Sequence, residues 1–313
     1  FALSTLHFPL STFHLLLHPM SIRKSTSDRI FDVINALLLI GVVIITLYPL
    51  LYVGFASVSD PARISAWRGI LWYPLGFTTK AYQVVFQNPF ILIGYRNTLF
   101  YVIVGTAANM LMTTLGAYTL SRQNVMWKRP ISLLIVFTLF FSGGLIPSFL
   151  LVAKTLDWID NPLAVIVPGL INTFNLLVLR TAFEAVPPSL EEAARIDGAN
   201  DFTILFRVIV PLSLPSIAVV TLFYAVGHWN AFFSALIYFR NVELFPLQLI
   251  LRQILITNDT QNMTAGTSSG DVEAIATTIK YAIIIVATVP ILCIYPFLQR
   301  YFVKGVLVGG VKE

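Results

Sequence analysis

The chain has 313 residues, 57% hydrophobic and 11% charged, with a formal net charge of +5 and a mean hydropathy of +0.81. A soluble domain carries about 25% charged residues, so these proportions exclude an ordinary soluble fold and point to an all-α, polytopic membrane protein. The pI near 9.3 is read first as Lys and Arg in cytoplasmic loops rather than as a nucleic-acid footprint, and the single cysteine, Cys293, excludes an intrachain disulfide.

The opening stretch, FALSTLHFPLSTFHLLLHP, has no basic n-region and no A-x-A cleavage site, so it is a poor signal peptide. Residues 1–19 read as a non-native or leader extension. Met20, followed by Arg23 and Lys24, reads as the start of a single transmembrane domain over 20–313. His7, His14 and His18 lie in the extension, where Pro9, Pro19 and the lack of acidic partners argue against a metal site.

A span needs about 20 apolar residues. Six charge-free windows meet this: 33–59, 97–121, 130–153, 161–179, 208–239 and 281–299. Residues 81–95 are too short, are broken by QNPF, and read as an external amphipathic segment. The run SGGLIP, Ser142–Pro147, should break or kink the third span. Six spans place both termini on one side. The basic residues Arg23, Lys24, Arg29, Arg122, Lys128, Arg129, Arg180, Arg195, Arg207, Arg300, Lys304 and Lys312 fall on that side, 12 of the chain's 20, and the positive-inside rule makes it cytoplasmic. Segments 60–96 and 240–280 are then external. The second contains NDTQNMTAGTSSGD, read either as a flexible connector or as a contact for something outside the membrane. Asn262, Met263, Thr264, Gly266 and Ser268 are the candidates for that contact.

Within the spans the polar residues are few. Amides and aromatic faces inside spans can line a pathway for a polar substrate, which makes Asn172, Asn175, Trp229, Asn230 and Phe232 its candidates. The competing reading for each asparagine, Asn109 included, is interhelical hydrogen bonding. A buried, neutral His228 is preferred to a ligand or relay. No window contains Asp, Glu, Lys or Arg, which argues against a proton-coupled carrier. No G-x-x-x-x-G-K-[ST] occurs, so this chain does not cradle ATP phosphates in a P-loop, and nothing suggests an enzyme active site.

Between the fourth and fifth windows lies VPPSLEEAARIDGANDFTILFRVIVPLSLP, residues 186–215. Pro187 and Pro188 stop the preceding helix. Ser189 can cap a new one with Glu192 three residues on, Gly198 can end it in the left-handed conformation, and Asn200 or Asp201 can cap a second helix before Pro211. Ala193 and Ala194 thin one side of the first helix, so another surface can approach. The physics leaves two readings: an amphipathic linker on the bilayer surface, or a docking element for a protein partner, which the acidic face favours.

Glu192-Ala193-Ala194, three residues, Gly198, nine residues, then Val208-Ile209-Val210-Pro211 resembles the EAA motif of ABC importer permeases, with Asp197-Gly198-Ala199 matching the usual DGA at its middle. Two conservative departures occur, Val208 for Ile and Val210 for Leu. The resemblance extends from about Met20 to the end of the chain. YPLGFTTKAYQVVF, FFSGGLIPSFLLVAKTL, GHWNAFF and FPLQLILRQIL look like the carbohydrate-importing, maltose-type branch, most like the second permease of alginate and aldouronate oligosaccharide importers. The resemblance implies a type I permease of six transmembrane helices with a cytoplasmic coupling helix, in the bacterial inner membrane. It implies a second homologous permease, two ATPase subunits that bind ATP and Mg, and a periplasmic or lipid-anchored solute-binding protein. It implies no cofactor in this chain, and an oligosaccharide substrate. Glu191, Glu192, Ala193, Ala194, Asp197, Gly198 and Ala199 are the ATPase-coupling residues it implies. The alternative is a secondary carrier or channel subunit not coupled to ATP.

Overall fold

The structure, a computed structural model, describes residues 25–256, 276–293 and 296. The chain divides into two units, Phe1–Leu51 and Tyr52–Glu313, taken here separately.

The described part of the first unit is a single helix. α1 (Thr26–Ser57) begins where the Asp28 carboxylate accepts the Ser25 N–H at 2.9 Å, and its last residues belong to the second unit. The Thr46 hydroxyl donates to the Val42 carbonyl at 2.8 Å, which satisfies a polar group in a largely apolar stretch.

The second unit continues with α2 (Pro61–Ala66), started by the Asp60 side chain, and α3 (Lys80–Gln87). Asn88 and Pro89 then stop one helix and start the next: the Asn88 side chain caps α4 (Pro89–Phe100). A π turn, Tyr101–Gly105, joins α4 to α5 (Thr106–Ser121), giving one helical run of 33 residues. The helix that carries the second window therefore begins at Pro89, ahead of Asn97, and includes Arg96 and the end of segment 60–96. α6 (Lys128–Phe140) and α7 (Leu145–Leu150), extended by a π turn to Thr155, meet at 107°. The corner is at Phe141–Gly144, where Gly144 has φ +83°. The break expected from SGGLIP is thus a sharp turn.

α8 (Leu163–Ile166) and α9 (Thr173–Glu184) make a second bent pair at 49°. After α10 (Pro188–Ile196), α11 (Asp201–Ile204) runs through a π turn into α12 (Val210–Leu212), and α13 (Leu214–Asn230) leaves at 89°. The window 208–239 is not one continuous helix. Ser213, between Pro211 and Pro215, breaks it, and a second break at Ala231 and Phe232 precedes α14 (Phe233–Tyr238). Charge spacing does not register prolines that remove backbone donors. α15 (Leu247–Ile256) and α16 (Ala276–Cys293) complete the described elements. Among the described residues, three helices are long and apolar enough to cross a membrane, and up to six if each bent pair is one span.

The two larger of three apolar clusters among the described residues organise the second unit. In one, Ala117, Tyr118 and Leu120 of α5 pack on Leu176, Leu179 and Phe183 of α9, with Ile204, Leu205 and Ile209 closing it. The other joins Ile91, Tyr101, Trp229 and most of α15 to Ile279 and Ile283 of α16. Asn109 makes a paired polar contact between helices. Asn109 donates to the carbonyls of Gly169 and Leu170 at 2.6 and 2.9 Å, and its oxygen lies 2.7 Å from His228 Nε2. Gly105 makes room for that imidazole: a Cβ there would stand 2.5 Å from Nε2.

Candidate functional site

The loop between the α8–α9 pair and α13 is built by local rules. α10 has Pro187 as its N-cap and Pro188 at its first position, with no side-chain cap. The cap expected of Ser189 is not made, because two prolines move the start of the helix ahead of it and put Ser189 inside the first turn. The other end is a Schellman motif. Ala199 N–H donates to the Ala194 carbonyl at 2.9 Å, Gly198 N–H donates to that of Arg195 at 3.0 Å, and Gly198 holds φ +81°. Asn200 then accepts the Thr203 N–H at 2.8 Å and starts α11.

The seven sequence candidates divide between two faces. Glu191 turns inward, where its carboxylate pairs with Arg122 from the end of α5 and with Arg195 Nη2 at 3.0 Å. Arg122 also donates to the Phe183 carbonyl at 3.1 Å and to Ser121 Oγ at 3.0 Å, and lies 5.0 Å over the Tyr118 ring. Arg195 reaches Asp201 at 2.7 Å. Hydrogen bonding to Glu191, then the charge of Asp201, raises the Arg195 guanidinium above its ordinary value. Ala194 and Ala199 are half-buried against the α5–α9 cluster. The thin side inferred from two adjacent alanines is therefore split: Ala194 is spent on the chain's own core, and only Ala193 is open.

The outward face consists of Ser189, Glu192, Ala193 and Ile196, with Asp197 and Gly198 exposed at the corner. Ile196 is 87% exposed, and Phe202, just past the corner, 67%. Neither was singled out in the sequence, although Ile196 follows Glu192 at helical spacing. A cleft of about 950 Å³ opens beside α10, lined by Tyr118, Arg122, Lys128, Glu184, Glu191 and Glu192. Arg122 was missed for a different reason: it meets Glu191 across 69 residues of sequence.

The candidate pathway residues also separate. Asn172 caps α9 by accepting the Asn175 N–H at 3.1 Å, and Asn175 is buried. Trp229 is 6% exposed, packs near Tyr95 at 6.3 Å, and its indole N–H has no acceptor among the described residues. Asn172 is itself exposed, whereas Asn175 and Trp229 lie inside the packing. Asn230 and Phe232, at and after the end of α13, are exposed. Asn262, Met263, Thr264, Gly266 and Ser268, like His7, His14 and His18, lie outside the described residues.

Bent apolar helix pairs, with a short helix between them that exposes a charged and apolar outer face, are the features of a polytopic membrane subunit. The chain belongs to the family of binding-protein-dependent transport system inner membrane components, which it matches over residues 16–308, and is a non-catalytic permease subunit. It is 40% identical over 290 residues to the polygalacturonan/rhamnogalacturonan transport system permease protein YtcP of Bacillus subtilis (strain 168), covering 91% of this chain and 99% of that one. It is also 40% identical to protein LplC of the same organism, covering 93% and 98%. Among solved structures it is similar to a chain in the crystal structure of a bacterial ABC transporter involved in the import of the acidic polysaccharide alginate. There the TM-score is 0.80 and the identity 34%, over 89% of this chain and 99% of that one.

Proposed function

We propose that the chain forms half of the translocation pathway of an ABC importer for an acidic oligosaccharide, beside a second homologous permease. Two ATPase subunits and an external solute-binding protein complete the complex, and ATP and Mg belong to the ATPases. The observation that carries the coupling part is the outer face of α10. Glu192, Ala193 and Ile196 stand in solvent on a helix whose inner face is locked to α5 by Glu191 and Arg122. An exposed isoleucine at a rigid corner suits a protein cleft, where its burial is favourable. The sugar class is supported by the polygalacturonan/rhamnogalacturonan and alginate systems to which the chain is similar. The basic residues around this loop and at both ends of the chain support a cytoplasmic placement of α10 and of both termini. Asn262 to Ser268 are the segment we assign to the binding protein.

Reconstitution of the complex in proteoliposomes tests the reading. ATPase activity stimulated by the loaded binding protein, and uptake, should both be supported by short oligogalacturonates or oligoalginates and not by neutral maltotriose. Uptake without ATP, or stimulation by maltotriose alone, would contradict it.

A further inference from the structure

Arg252, on α15, has no counter-charge among the described residues. α15 buries Leu247, Leu249, Ile250, Leu251 and Ile254, and Gln248 and Arg252, one turn apart, form its half-buried polar edge. The Arg252 guanidinium lies over the Phe232 ring, 5.7 Å from its centroid, and no carboxylate of the described residues is within salt-bridge reach. Phe232 is 37% exposed. Two residues before it, Asn230 commits its amide N–H to the Val226 carbonyl at 3.0 Å, which leaves the amide oxygen as an acceptor. Arg252 is half-buried, with its charge set beside an aromatic ring and not beside a carboxylate. Stacking on an aromatic face holds the guanidinium while its N–H fork stays free for a planar anion.

We propose that Arg252, Phe232 and Asn230 form a subsite for a uronate unit of the transported sugar. The Arg252 fork donates two hydrogen bonds to the uronate carboxylate, the open part of the Phe232 ring takes the apolar C–H face of the pyranose, and the Asn230 oxygen accepts a sugar hydroxyl. The subsite rests on the acidic-oligosaccharide reading above and adds to it the residues that read the charge.

The test is equilibrium binding to the purified complex of both permeases and the ATPase in nanodiscs, with two probes: trigalacturonate and its fully methyl-esterified, uncharged form. Arg252→Gln should weaken trigalacturonate binding roughly tenfold, in line with the loss of a charge-assisted pair, and leave the ester unchanged. Arg252→Lys, which keeps the charge but not the fork, should recover part of the loss, and the thermal unfolding midpoints of both variants should match the wild type. Wild-type trigalacturonate affinity in Arg252→Gln would overturn the subsite, as would equal losses for both probes, which would mean a packing role. It would also be overturned if phosphatidylglycerol in the nanodisc, and not trigalacturonate, bound in an Arg252-dependent way. A wild-type complex that binds neither probe defeats the acidic-sugar reading itself, a result distinct from the others.

Discussion

Gly198 holds φ +81°, and no heavy atom lies within 4 Å of where its Cβ would stand. The cost of a side chain there is thus conformational and not steric, about 1–2 kcal/mol for an L-residue held left-handed. Gly198→Ala should lower the unfolding free energy of the purified permease pair by that amount, and Gly198→Asn by less, since asparagine tolerates the region. An alanine variant of unchanged stability would mean the corner relaxes. Gly198 was readable from the sequence because a Schellman corner is local: an apolar-periodic helix, glycine, then a capping asparagine. The inward turn of Glu191 was not, because Arg122 and the Phe183 carbonyl come from other helices. Adjacent Ala193 and Ala194 looked alike in the sequence, yet they stand about 100° apart around a helix, enough to put one in solvent and the other on the core.

At the scale of elements, Arg122 ties α5, α9 and α10 together. Removing one partner of a partly shielded ionic hydrogen bond costs about 1.5–3 kcal/mol. Arg122→Ala should lower the stability of the permease pair by that order and expose the 186–200 segment to protease; equal cleavage in wild type and variant would show that α10 is held by other contacts. A second tie is Asp160, whose carboxylate accepts the N–H groups of Arg240 and Asn241 at 2.6 and 2.9 Å. Those hydrogen bonds, Asn241 first, hold its carboxyl below the ordinary 3.8. A depressed carboxylate stabilises above its unfolded value and loses that contribution as pH falls through the folded one. Hydrogen exchange around residues 238–245, corrected for intrinsic rates, should therefore be slow at neutral pH and quicken below 3.8. In Asp160→Asn it should be fast already at neutral pH, and slow exchange there would show the tie to be idle. The helix content was legible from charge spacing, but the bends were not fully so. SGGLIP announced one. The break at Ser213 was hidden inside an apolar window whose prolines, not its charges, divide it.

For the whole molecule, the account rests on α10 presenting one face to an ATPase and keeping the other for itself. The motif spacing made the family legible across twenty residues. The orientation of the helix needed the packing of α5 against α9, which no local pattern encodes. Single cysteines at Ala193, Ala194 and Ile196 address this directly, each in the full importer bearing a short photoactivatable cross-linker. Ala193→Cys and Ile196→Cys should cross-link to the ATPase subunit, and Ala194→Cys should cross-link only within its own chain. Cross-links to the ATPase from position 194, or none from 193 and 196 in an assembled, transporting complex, would contradict the assignment.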